Sequence, residues 1–83
     1  MFFYTYILFS ATLNRYYSGS TNNLERRLFE HNSGQNNSTK HGTPWTLVFS
    51  SSFNSRTEAL QKEMEIKNRG AKRFLAAQDI LPG

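Results

Sequence analysis

Five side chains, met in the order phenol, phenol, guanidinium, imidazole and carboxylate, could between them hydrolyse a phosphodiester: Tyr6, Tyr17, Arg27, His31 and Glu63. A planar guanidinium gives a phosphate two hydrogen bonds and offsets the charge that grows on a five-coordinate phosphorus. A phenol titrates near 10 and is a poor base in bulk water. A cation beside it favours the phenolate and lets it take a proton from an attacking water. A lone carboxylate holds Mg2+ when waters and phosphate oxygens complete the shell, and the ion then steadies the leaving oxygen as a Lewis acid. Each residue also has a plainer use. Either tyrosine serves as a strand or core residue, Arg27 as an aliphatic stem over leucines, and His31 as a cap on a helix end. Glu63 serves as half of an ion pair with an interior arginine such as Arg27, or as a group turned to solvent.

The surrounding sequence supplies elements to carry them. Residues 3–9 are β-branched and aromatic and apolar on both faces, as a central strand is. Ser10 to Asn14 reads as a turn and Arg15 to Gly19 as a second strand, closing an antiparallel hairpin. Alternation puts Tyr4, Tyr6 and Leu8 on one face, and Tyr17 joins them if the register allows. Asn22 with Glu25 resembles a capping box opening a helix whose buried stripe is Leu24 and Leu28. Arg27 and His31 lie on that same side, whereas Arg26 and Glu30 form an outward i,i+4 pair. Asn32 to Thr43 is a polar loop, expected to be mobile and able to face a substrate, and Pro44 closes it. Trp45 to Phe53 is a third strand in which Trp45, Leu47 and Phe49 alternate with Thr46, Val48 and Ser50. Ser55 to Glu58 is a full capping box for a helix reaching about Asn68. On it Ala59, Leu60, Met64 and Ile66 form an apolar face with Glu63 near its middle. Gly70 ends that helix, and Ala71 to Ala77 reads as a short last one.

Composition limits the rest. Eighty-three residues make a single domain over 1–83 with a small core, resting on seven Phe, four Tyr and one Trp. The absence of cysteine excludes disulfides, thiolate zinc sites and a thiol nucleophile. A net charge of +4 and a pI near 9.8 fit a polyanionic partner, nucleic acid being the commonest, though excess Lys and Arg also keep small proteins soluble. The apolar start lacks a basic n-region and a cleavage site and is far short of the roughly 20 residues of a membrane span. A soluble, cytoplasmic protein with no membrane partner is the expectation. The lone aspartate, Asp79, leaves paired-aspartate two-metal sites unsupported, and no GxxxxGK phosphate loop occurs.

In this order these residues resemble the GIY-YIG nuclease superfamily, closest to small stand-alone bacterial members related to the N-terminal nuclease domain of the UvrC repair protein. The stretches that carry the resemblance are Tyr4-Thr5-Tyr6-Ile7-Leu8, Tyr17-Ser18-Gly19, Thr21 to Gly34, Thr46 to Phe49 and Glu58 to Lys67. The first motif has Tyr4 and Thr5 where the family has Gly and Ile, and the second has Ser18 for Ile; both changes spare the phenols. The resemblance implies an α+β fold, a small three-stranded antiparallel sheet flanked by about three helices. It implies nucleic-acid cleavage dependent on Mg2+ or Mn2+, DNA being favoured over RNA, in a structure-selective or weakly sequence-specific way. By position Tyr6 and Tyr17 are the motif tyrosines, Tyr6 the favoured base, Arg27 the catalytic arginine and Glu63 the metal ligand; His31 matches a histidine common in this branch. A phosphate-gripping surface would comprise Arg27, Lys40, Lys67, Arg69, Lys72 and Arg73. Two other readings stay open: a non-catalytic nucleic-acid-binding adaptor on the same scaffold, and an interaction module that an exposed Phe29 would favour. A protein partner supplying specificity is compatible with the first.

Overall fold

A strand that is apolar on both faces belongs in the middle of a sheet, and the Phe3–Ser10 segment takes that place. In the computed structural model, which describes residues 1–35, 37 and 39–78, β1 (Phe3–Ser10) lies between β2 (Arg15–Thr21) and β3 (Trp45–Phe53), antiparallel to both. Helix α1 (Leu24–Asn32) follows β2, a 3-10 turn (Lys40–Gly42) precedes β3, and α2 (Arg56–Arg69) and α3 (Ala71–Ala77) complete the chain. The fold is α+β, as expected; Asp79 lies outside the described residues. Among those residues no helix is long and apolar enough to cross a membrane.

Strand alternation divides the core in two. Ile7 packs with Ile66, Phe74 and Leu75 under α2 and α3, where Tyr16 and Phe49 also contribute. Tyr6, Leu8 and Trp45 pack on the opposite face, against Leu24 and Leu28 of α1 and against Tyr17. Thr5, fully buried, donates its hydroxyl to the Ala59 carbonyl at 2.6 Å and so ties the first turn of α2 to β1. The hairpin turns at Asn14, whose φ of 54° is one that asparagine tolerates better than most residues.

Four local expectations are corrected. The cap of α1 is Asn23, whose Oδ1 accepts from the Arg26 amide at 3.0 Å, so the Asn22–Glu25 box does not form. Strict alternation in β3 fails because a bulge falls at Val48: Leu47 pairs with Leu8 but Phe49 pairs with Ile7. The extra residue turns Phe49 onto the α2 side, where it meets Phe74 edge-on at 5.1 Å between ring centroids. The polar loop is not loose throughout, since Thr39 is buried and its carbonyl accepts from the Trp45 indole at 2.6 Å. Finally, Leu60 and Met64 are 47% and 64% exposed, so the buried face of α2 is Ala59 and Ile66 with the stems of Lys62 and Glu63 beside them. Ser55 does cap α2, its Oγ accepting from the Glu58 amide at 3.2 Å.

Candidate active site

Register decides whether the two phenols meet. Tyr6 is paired with Gly19 and Leu8 with Tyr17, so both tyrosines stand on the α1 side of the sheet, on neighbouring strands. The Tyr6 ring crosses Gly19 closely: a Cβ at that position would lie 2.6 Å from the Tyr6 hydroxyl and 2.8 Å from Cζ. Glycine is therefore required by the ring, and the third residue of the Tyr17-Ser18-Gly19 motif keeps the phenol in place. The ring is rigid and buried, so Gly19→Ala forces it to tilt. We expect a loss of about 1–3 kcal/mol of stability in denaturant titrations, as for other overpacked sites, with altered near-ultraviolet dichroism from the displaced tyrosine.

His31, on α1, completes the aromatic cluster. Its Nε2 is 3.0 Å from the Tyr6 hydroxyl and its Nδ1 2.9 Å from Thr39 Oγ1, so both ring nitrogens are held. The Tyr17 ring lies 4.9 Å away between centroids and the Tyr6 ring 5.9 Å. Burial first, and then the Arg27 charge, lower the His31 pKa below its ordinary 6.5, with Glu30 opposing. The unfolded chain thus binds this proton more readily than the folded one. Stability is full above about pH 6.5 and falls as pH drops below it, until the lowered folded-state pKa is reached. A melting temperature that declines from about pH 6.5 to 5.5 in the natural chain, and much less in His31→Gln, is the expected result.

Arg27 is the half-buried member of the Arg26-Arg27 pair. Its Nη1 donates to Glu30 Oε1 at 3.0 Å, while the exposed Arg26 reaches Glu30 only at 3.8 Å. Glu30 thus leans toward the interior arginine as well as forming the expected outward pair. Burial raises the Tyr6 pKa above its ordinary 10, and the Arg27 guanidinium opposes that rise by hydrogen bonding and by charge. The same contact raises the Arg27 pKa, so the arginine stays charged beside the phenol.

Glu63 approaches from α2. Its side chain is 17% exposed, and Oε2 accepts from Lys67 Nζ at 2.7 Å. Burial is the main cause of the raised Tyr6 pKa, and the Tyr17 and Glu63 side chains add smaller electrostatic contributions in the same direction. The partner is Lys67 rather than Arg27, so neither plainer reading of Glu63 holds in full. No group of three or more His, Cys, Asp or Glu is placed to enclose a metal among the described residues. A single part-buried carboxylate facing an open groove does fit Mg2+ or Mn2+, which keep most of their shell as water and phosphate oxygens.

Two open grooves meet at Lys67. One, about 480 Å3, is lined by Tyr16, Tyr17, Lys67, Gly70, Lys72 and Arg73; the other, about 410 Å3, by Leu60, Glu63, Met64, Lys67 and Asn68. Lys67, Lys72 and Arg73 therefore share one surface, and Arg69 joins them through a smaller groove with Asn68 and Arg73. Lys40 sits on the 3-10 turn that precedes β3 and lines none of these three grooves. Phe29 is 65% exposed, as the interaction-module reading asks.

Some contributors escaped the sequence. Thr39 fixes His31 through a contact that no sequence pattern signals, and Gly19, though part of a recognised motif, shows its role only where the Tyr6 ring crosses it. Asn32 brackets the Trp45 backbone, donating from Nδ2 to its carbonyl at 3.1 Å and accepting its amide at 2.6 Å, which docks the end of α1 on β3. The i,i+4 spacing of Glu63 and Lys67 was the one signal available for that pair.

Residues 2–75 match the family model described as the GIY-YIG catalytic domain. A UPF0213 protein of Natronomonas pharaonis is 39% identical over 79 residues, 92% of this chain and 92% of that protein. Another, from Staphylococcus haemolyticus, is 40% identical over 65 residues, 77% of this chain and 78% of the relative. The solution NMR structure of a UPF0213 protein from Bacillus halodurans is similar with a TM-score of 0.60 and 33% identity, spanning 99% of this chain and 89% of that one.

Proposed function

This chain belongs to the GIY-YIG family of nuclease-type catalytic domains, and from that premise we propose that it is a divalent-metal-dependent endonuclease. Its substrate is DNA, cut by phosphodiester hydrolysis with little sequence preference. The observation that carries the reading is the cluster in which the Tyr6 hydroxyl meets His31 Nε2 at 3.0 Å, under the influence of both Arg27 and Glu63.

Each residue has a task that its surroundings support. Arg27 donates to non-bridging oxygens of the scissile phosphate, its guanidinium steadied by Glu30. Burial outweighs the Arg27 charge and keeps Tyr6 protonated, so it takes the proton of the attacking water only as its own passes to His31 Nε2. Tyr6 is 1% exposed, so its own proton leaves through His31 rather than through bulk solvent. The lowered His31 pKa keeps that imidazole neutral at pH 7, with Nε2 able to accept and Nδ1–H donating to Thr39. Tyr17, which lines the larger groove, sets the water and the strand. Glu63 would hold Mg2+ or Mn2+, which would supply Lewis-acid stabilisation of the leaving oxygen. Lys67, Lys72, Arg73 and Arg69 hold flanking phosphates, which position a strand without reading its bases.

The test is cleavage of labelled single-stranded, duplex, flapped and branched DNA, and of RNA, in Mg2+, Mn2+ or EDTA. Metal-dependent cutting lost in Tyr6→Phe establishes the enzyme and its substrate shape. Salt-sensitive binding with no cutting under any condition returns the adaptor reading.

A further inference from the structure

Lys67 occupies the carboxylate that the proposed cation needs. Its ammonium lies 2.7 Å from Glu63 Oε2, and the Lys67 side chain, 57% exposed, is the more solvent-facing of the two, that of Glu63 being 17% exposed. It also lines both grooves, the one that holds Glu63 and the one that holds Tyr17, Lys72 and Arg73. A lysine head is a compact charge on a flexible stem, able to move between two anionic partners without disturbing the helix beneath it.

We propose that Lys67 is a positioning residue that neutralises Glu63 in the free protein, yields the carboxylate to the divalent cation, and is thereby delivered to a phosphate in the groove beside Tyr17. The inference rests on the reading of Glu63 as the metal-holding residue. Ammonium and dication compete for one oxygen pair and repel each other, so cation binding to the free protein is weakened. A strand phosphate that receives the displaced ammonium removes that opposition. Strand and cation then favour each other's binding by the same factor, as linkage requires. An ordinary surface pair of this spacing makes no such demand, since its lysine has nowhere specific to go.

Mn2+ binding, followed by the electron paramagnetic resonance of the free ion, separates the outcomes. Lys67→Met is expected to bind Mn2+ about fivefold tighter than the natural chain, the scale of a partly exposed pair removed. Lys67→Arg, which keeps the charge, stays close to the natural value, and Glu63→Gln loses the site. A gain in affinity cannot arise from a damaged fold. Unchanged or weaker binding in Lys67→Met, with the site still lost in Glu63→Gln, overturns the competition and spares the Glu63 reading. Binding that survives Glu63→Gln overturns that reading itself. The delivery step is read by fluorescence polarisation of a labelled oligonucleotide in a Tyr6→Phe background, where the strand stays intact. Lys67→Met is expected to cost about fivefold in affinity with saturating Mn2+ and under about twofold in EDTA, the loss of one phosphate contact. The same cost in both conditions, or none, overturns it.

Discussion

Glu63→Gln is expected to lower metal-dependent cleavage by about 10³-fold, comparable to removing a main electrostatic stabiliser of a charged transition state. Metal-free oligonucleotide affinity should change by less than about threefold, because the basic groove is intact. The amide matches the carboxylate in shape and can still accept from Lys67, so the local packing on α2 survives. It lacks the negative charge that a hard cation requires. Single-turnover cleavage alongside polarisation-based binding makes the separation. Cleavage at the natural rate would remove the metal from Glu63, and a parallel collapse of binding would make the residue structural.

What the sequence disclosed follows from the range of the interactions involved. The strand identities of β1 and β3, the hairpin, the Ser55 cap and the Gly70 stop depend on residues near one another in the chain, and all appear where the pattern put them. The cap of α1 slipped by one because Asn22 and Asn23 offer the same side chain at adjacent positions, and the Asn23 backbone amide is the one held by Thr21 Oγ1. The side of the sheet that Phe49 faces was out of reach, since a bulge is a property of the pairing with β1 and leaves no composition mark. The exposure of Leu60 and Met64 has a related cause. Helical periodicity finds an apolar arc, but the sheet accepts only the part bearing Ala59 and Ile66, whose small and branched side chains allow close approach. At the site, alternation left the meeting of Tyr6 and Tyr17 to the strand register, and the geometry around them depends on Gly19, Thr39 and Asn32, none of which carries obvious chemistry.

Arg27→Met carries the other large effect. Methionine keeps an unbranched apolar stem of similar length at this half-buried position, so the guanidinium is lost with little change of volume. Cleavage is expected to fall by about 10²–10³-fold, the range for deleting a donor aimed at developing charge. Arg27→Lys should recover only part of it, because an ammonium cannot hold Glu30 and a phosphate with one planar fork. The electrostatic signature is separate from rate. Arg27 lowers the pKa of His31 and opposes the burial that raises Tyr6. Removing it therefore lets both values climb: His31 moves back toward its ordinary 6.5, and Tyr6 rises further. A proton NMR titration of the His31 ring should show that upward movement in Arg27→Met, and the acid loss of stability should begin at the same pH but end sooner. An unmoved His31 titration with cleavage lost would place Arg27 on the substrate alone. An upward movement with cleavage intact would confine its charge to the Tyr6–His31 pair.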